Sequence, residues 1–432
     1  MWLSKIDLTG VGFFMIRFSI RSTFLPVFLA VSLMVGCSSP PIPEAKPVVI
    51  AKSEVKPIQA PPVVRTPPQK KIVAKPVQIS PPKVVAKKRV QQVRKPVVRM
   101  QAAPKVQRKA WRENGNYALT GDFASNPHAQ QFIQRMSREY GMDQSYLNKL
   151  FSNARDTGLY VKPLRKRTKK GSRKGSWTRY RSFFLTSRHI NEGAQFWRKY
   201  RHQLEQAERQ YGVPAEYIVG ILGVETIYGG NVGKHRAIDA LSTKAFIPSR
   251  RSKFFTNELE KFLLMARSEG LNPYQVMGST AGALGLGQFM PSNFKPLSVD
   301  FNRNGVRNLW DPVDAIGSVA NYFKKHGWRT GGKVVVPATA MSSKYKSLSW
   351  GYKHKHRLSR LQNLGITAGG DIDQPVRLVR LSTNHGEEVW LGGHNFYVIT
   401  RYNHSSKYAM AVHQLAQAVK QRYMGGSSVA QK

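Results

Sequence analysis

From Glu216 to Gly229 the chain reads Glu-Tyr-Ile-Val-Gly-Ile-Leu-Gly-Val-Glu-Thr-Ile-Tyr-Gly, and every residue between the two glutamates is apolar, tyrosine or glycine. On a helix, Ile218, Ile221, Leu222 and Glu225 fall at i, i+3, i+4 and i+7, so Glu225 shares the core-facing stripe. Pro214 suits the first turn and Gly229-Gly230 the exit, which places Glu225 in the last turn before solvent. Burial and a helix C-terminus both disfavour a carboxylate, and an acid still protonated near neutral pH is what general acid catalysis requires. A core glutamate paired with a distant Arg or Lys fits the same pattern.

A second stretch, Met277 to Ser292, packs four glycines into the ten positions 278–287 and ends Gln288-Phe-Met-Pro. Glycine at that density lets backbone approach a ligand or another helix closely. It is no phosphate cradle, because the Walker lysine is missing. Here the sequence resembles the lytic murein transglycosylases of the membrane-bound B type, a lysozyme-like group. The residues that carry the resemblance are Gly223-Val-Glu-Thr and Tyr228-Gly, Gly278-Ser279, Gly285-Leu-Gly-Gln-Phe-Met-Pro291, Asn308 through Phe323, and Arg401-Tyr-Asn-His-Ser405. The resemblance covers roughly residues 175 to 422.

The resemblance implies a mainly α fold: a lysozyme-like helical core with a small β element and a helical lead-in. It implies an enzyme that cleaves the β-1,4 bond between N-acetylmuramic acid and N-acetylglucosamine and leaves a 1,6-anhydromuramyl end. Glu225 would be the only catalytic carboxyl. Ser279 and Gln288 would hold the sugar near the scissile bond, and Tyr180, Tyr322, Tyr402, Asn403 and Tyr408 would line the cleft. Read from spacing alone, Ser279 serves a turn, Tyr322 a core, and Tyr402 and Asn403 a helix cap. Glycosidases normally use two carboxyl groups. Asp239 is the open candidate for a second, whereas Glu258, Glu260 and Glu269 read as solvated on a charged helix. A lysozyme-type hydrolase and a non-catalytic wall-binding lipoprotein are the rival readings.

The chain of 432 residues has a formal net charge of +44 and a pI near 10.6, which calls for a polyanionic neighbour. No nucleic-acid recognition motif is present, so a wall polymer or membrane surface fits the charge equally well. Arg17 and Arg21 precede a short apolar run that ends Leu33-Met-Val-Gly-Cys37, which resembles a lipoprotein signal with cleavage after Gly36. Cys37 is the only cysteine, and lipidation accounts for it; a plain secretory signal with an incidental cysteine is the alternative. Without Asp after the cysteine, the resemblance implies the periplasmic face of the outer membrane.

Thirteen prolines lie between positions 41 and 110 among many Lys, Arg and Val, which reads as an extended, disordered tether. The expected organisation is therefore a signal peptide (1–36), a Pro/Lys-rich linker (37–110) and a catalytic region (111–432). That region comprises the lead-in (111–175), the core (176–330), and a basic loop, small sheet and C-terminal helix (331–432). The lead-in helices are expected at 126–140 and 143–154, followed by a basic surface loop over 161–181. Core helices are expected at 193–211, 214–228, 256–269 and 312–326, strands at 376–381, 388–391 and 396–402, and a last helix at 404–422.

Asp300, Asn302, Asn304, Gly305 and the Val306 carbonyl occupy positions 1, 3, 5, 6 and 7 of an EF-hand loop. Asp311 precedes Pro312 and reads as a helix N-cap, which leaves Asp314 as the better closing ligand. With so few carboxylates the calcium affinity is expected to be weak, and no cofactor is required. The expected partners are glycan strands and the outer membrane through the lipid anchor, with no nucleic acid. The protein is expected to be monomeric and to meet wall-synthesis proteins.

Overall fold

The computed structural model describes residues 111–159 and 174–427. The signal segment, Cys37, the tether and the basic positions 160–173 lie outside them. The lead-in helices begin where their caps dictate. Asn126 Oδ1 accepts from His128 N and Ala129 N ahead of α1 (Pro127–Tyr140), and Asp143 accepts from Tyr146 N ahead of α2 (Gln144–Ser152). The described end of the basic run is not a loop. Trp177 is fully buried there and anchors a short helix, α3 (Ser176–Arg181).

The segment expected as one helix over 193–211 is two, α4 (Ser187–Lys199) and α5 (Arg201–Tyr211), broken at Tyr200. Next come α6 (Ala215–Thr226), the two-residue strand β1 (His235–Arg236) and α7 (Ala237–Phe246). Every residue of α7 is buried, Asp239, Ser242, Thr243 and Lys244 included, so it has no exposed face. There follow α8 (Ser252–Ser268), β2 (Met277–Gly278), α9 (Pro291–Leu297) and α10 (Pro312–Lys325).

Helix α6 lies inside the bundle, packed by α4, α5, α10 and the last helix, α13 (Ser406–Ser427). It is buried without interruption from Ala215 to Gly223, so it has no apolar stripe opposed by a polar one. That corrects the stripe reading of Glu225, which sits at the end of a surrounded helix and is half-buried. Gly220 makes the packing feasible: a Cβ there would lie 2.9 Å from Val412 O of α13. The lead-in joins the same core through Phe123, Phe132 and Phe151, whose rings meet Phe246 of α7 edge-on at 5.3–5.7 Å.

The remaining chain forms β3 (Val335–Ala340), α11 (Leu358–Gln362), β4 (Ile366–Ala368), β5 (Arg377–Thr383), β6 (Gly386–Gly392) and α12 (His394–Tyr402). The strands make one antiparallel sheet in the order β4-β3-β6-β5. Its separate small core holds Val336, Ile366, Val376, Leu378 and Leu391. The strand expected at 396–402 is instead α12. Phe396, Val398, Ile399, Thr400 and Tyr402 are all buried, which mimics a strand in sequence. Asn395 ties the helix start to Arg329 and Gly332.

Phe246→Ala should remove the hub of the lead-in cluster and destabilise the fold by about 3–5 kcal/mol. Denaturant unfolding checks this, and a loss below about 1 kcal/mol would contradict the packing described.

Candidate active site

Glu225 occupies the last turn of α6, and the helix stops in an unusual way. Ile227 N bonds Gly223 O and Tyr228 N bonds Leu222 O, the paired closure of a Schellman-type end. The left-handed residues are Ile227 (φ 53°) and Tyr228 (φ 55°), ahead of the expected Gly229. Thr226 Oγ1 donates to Leu286 O (2.8 Å) and accepts from Gly229 N (3.0 Å), so the helix end is fastened to the glycine-rich segment.

Tyrosines lie around the Glu225 carboxyl. Tyr408 Oη, from the first turn of α13, donates to Glu225 Oε1 at 2.6 Å. Tyr408 is 3% exposed. Burial first, and then the Glu225 charge, push its phenol well above the ordinary value, so it stays a donor throughout the neutral range. Burial and the Glu225 charge also raise Tyr180 and Tyr402, and outweigh the opposing Arg401 charge at Tyr322. The structure thus gathers Tyr180, Tyr322, Tyr402 and Tyr408 around one carboxyl group.

Three of these hydroxyls make bonds within the protein. Tyr402 Oη donates to Gly287 O (2.5 Å), Tyr322 Oη to Arg401 O (2.7 Å), and Tyr408 Oη to Glu225. The Tyr322 and Tyr402 rings are 4.6 Å apart, and Tyr402 and Tyr408 lie nearly parallel at 6.5 Å. Tyr180 is half-buried against Trp177 and Phe184. Asn403, half-buried, ends α12 in extended backbone; Ser405 is the residue that caps α13, through Tyr408 N. His326 was not singled out from sequence. It stacks on Tyr322 at 4.0 Å, and its place one turn along α10 from that tyrosine was the available signal.

In the glycine-rich segment, β2 pairs antiparallel with β1, and Leu284 bridges to both Gly278 and Phe289. Ser279 and Gln288 are each 2% exposed. Ser279 Oγ accepts from Ala283 N, and Gln288, itself left-handed at φ 51°, donates from Nε2 to Val232 O and Gly285 O. Both therefore shape this turn. Gly285 is required at φ 65°, where a Cβ would lie 2.3 Å from Leu309 O.

The remaining acids are committed elsewhere. Asp239 accepts from Arg236 at Nε and Nη2 and from Arg155 N. The expectation that Glu258, Glu260 and Glu269 are solvated is wrong: they are 1%, 5% and 8% exposed. They lie on the inward face of α8 or at its C-terminal end, each buried with a partner. Glu258 takes Ser292 N and Oγ at the start of α9, Glu260 takes Arg135 and Tyr140, and Glu269 takes Arg307.

In the loop 300–311, Asp300 accepts from Asn304 N and Gly305 N, Asn302 from Asn304 N, and Asn304 from Val306 N. Asp311 caps α10. Asp314 is fully buried and accepts from Phe301 N and Asn302 N at Oδ1 and from Asn308 N at Oδ2. Burial raises its pKa, against the pull of those three N–H groups. Among the described residues no cluster of three or more His, Cys, Asp or Glu is placed to hold a metal.

The sequence family described as the Transglycosylase SLT domain matches residues 124–417. Membrane-bound lytic murein transglycosylase B of Escherichia coli (strain K12) is 47% identical over 309 residues, covering 70% of this chain and 85% of that protein. The E. coli lytic transglycosylase SLT35, solved with bulgecin A, superposes with a TM-score of 0.66 at 46% identity, covering 71% of this chain and 97% of that one. The same enzyme with calcium gives 0.65 at 44% identity over the same shares.

Tyr408→Phe should raise the pKa of Glu225, because the lost hydrogen bond favours the ionised form. Carbon-13 NMR titration of the labelled glutamate carboxyl reads this directly, and an unchanged or lowered value would contradict the contact.

Proposed function

Since the chain belongs to the Transglycosylase SLT family and cleaves peptidoglycan as a lytic transglycosylase, we propose that Glu225 alone carries the proton chemistry. The observation that supports this most is a carboxyl at a helix end, held by Tyr408 at 2.6 Å within a tyrosine shell, while Asp239, Glu258, Glu260 and Glu269 are tied to other partners. A hydrolytic glycosidase places two carboxyl groups across the bond; this reading needs one.

With Oε1 accepting from Tyr408, the working proton is assigned to Oε2. Glu225 gives it to the glycosidic oxygen between N-acetylmuramic acid and N-acetylglucosamine, and that bond breaks. The acetamide of the muramyl residue stabilises C1 as an oxazolinium-like species. Glu225, now a carboxylate, takes the proton of the C6 hydroxyl as that oxygen bonds to C1. The acid is restored, a 1,6-anhydro ring closes, and no water is consumed. Low dielectric in the tyrosine shell favours the neutral acid that starts the cycle.

Of the other assigned residues, Tyr180 and Asn403 are the half-buried ones and are assigned to meet the sugar. Tyr322 and Tyr402 form the wall behind it, Tyr408 orients the acid, and Ser279 and Gln288 keep the loop shaped to receive the glycan. Glu225→Gln preserves shape and removes the proton, so turnover should fall on the order of 10²–10⁴-fold while the variant still sediments with purified peptidoglycan. Retained turnover would transfer the role to another carboxyl.

The loop 300–311 with Asp314 is assigned as an EF-hand-like calcium site of weak affinity, held by Asp300, Asn302, Asn304, the Val306 carbonyl and Asp314. The loop is folded by its own backbone bonds, and Asp314 is engaged with three N–H groups, which limits the charge left for an ion. Calcium would brace the loop and take no part in proton transfer. Calcium should raise the wild-type melting temperature only at concentrations on the order of 10⁻⁴–10⁻³ M, and not that of Asp300→Asn. Saturation at micromolar calcium would contradict the weak assignment.

Cys37 is assigned as the lipid anchor, facing the periplasm from the outer membrane, with residues 37–110 as the tether. The relative named above is membrane-bound by name. No helix among the described residues is long and apolar enough to cross a membrane. Cys37→Ala should move the protein from the membrane to the soluble fraction; continued membrane association would contradict the anchor.

A further inference from the structure

Tyr228 lies three residues past Glu225 and is 1% exposed, so it meets no substrate. Its backbone is left-handed at φ 55°, directly after Ile227 at φ 53°. Two consecutive non-glycine residues there, one of them β-branched, persist only where the surroundings over-determine them.

The surroundings do so through the Tyr228 hydroxyl. It donates to His189 O of α4 at 2.9 Å. A Cβ at Gly193 of α4 would lie 2.3 Å from that oxygen, and one at Gly223 of α6 would lie 2.5 Å from it. The hydroxyl is therefore wedged between two helices at positions where each presents glycine. The ring stacks on Phe196, also of α4, at 5.5 Å. Beyond the turn, Arg188, paired to Glu192 at 3.0 Å, reaches within 3.6 Å of a Cβ built on Gly230. Helix α4 thus grips the turn from one side, and Thr226 fastens it to Leu286 on the other.

We propose that Tyr228 is a positioning residue for Glu225: its hydroxyl, locked into α4, holds the left-handed turn that ends α6 and so fixes where the acid stands. This rests on Glu225 being the acid. Without the lock, Ile227 and Tyr228 are free to relax toward right-handed backbone. The last turn of α6 then shifts, and the carboxyl leaves its place beside Tyr408. A misplacement near 1 Å at a reacting group is enough to cost orders of magnitude in rate.

The test is the pH dependence of kcat and KM on peptidoglycan for full-length Tyr228→Phe, beside wild type and Glu225→Gln. The expected result is a kcat lower by about tenfold with KM unchanged, and an inflection in the kcat profile displaced from the wild-type pH. Gly223→Ala, which drives a methyl group at the hydroxyl, should also lower kcat. Wild-type kcat in Tyr228→Phe would overturn the proposal. So would a loss uniform across pH that matches the unfolded fraction seen by circular dichroism. Turnover retained in Glu225→Gln would overturn the acid assignment itself, a result separate from either.

Discussion

The constraint on which the rest depends is the enclosure of α6. A helix buried on all sides can present a carboxyl to substrate only at its end, and Glu225 stands in that last turn. Enclosure requires close approach, which Gly220 permits against Val412 of α13 and Gly223 against Leu415 and the Tyr228 hydroxyl. The same packing brings Tyr408 to Glu225. The hydrogen bond on the Glu225 carboxyl, the proposed acid, is thus a product of the helix packing and not of a separate loop.

Electrostatics follows from this arrangement. A chain with 68 Lys and Arg against 24 Asp and Glu has cations available for every buried acid. Glu216, Glu260 and Glu269 take Lys420, Arg135 and Arg307 respectively, which removes them from the chemistry. A buried charge without a partner is costly, whereas a buried neutral acid held by a phenol is far less so. Glu225 accepts from the Tyr408 phenol, Glu258 from Ser292, and Asp314 from three backbone N–H groups.

Much of this was legible in the sequence where local rules act alone. Asn126, Asp143 and Asp311 announced their helices through capping chemistry, and the apolar runs of β5 and β6 stood out as strands. Reading failed where burial was complete. Helix α7 had no exposed face to reveal it, α12 looked like a strand because Phe396, Val398, Ile399, Thr400 and Tyr402 are buried, and Glu258, Glu260 and Glu269 looked solvated because their partners lie on α1 and on residues 292 and 307. Glu225 was singled out by its place at the end of an apolar run, although the stripe invoked for it does not exist. Tyr180, Tyr322 and the pair Tyr402 and Tyr408 lie far apart in the chain, and only the family resemblance pointed to them; their convergence is a tertiary fact.

The central claim is that one carboxyl group closes an anhydro ring without water. Digesting purified peptidoglycan with the full-length protein in oxygen-18 water and weighing the released muropeptides tests it most directly. The account predicts products one water lighter than hydrolytic fragments and free of label. Reducing muramyl ends carrying oxygen-18 would show that water attacks C1, and would require a second group to activate it.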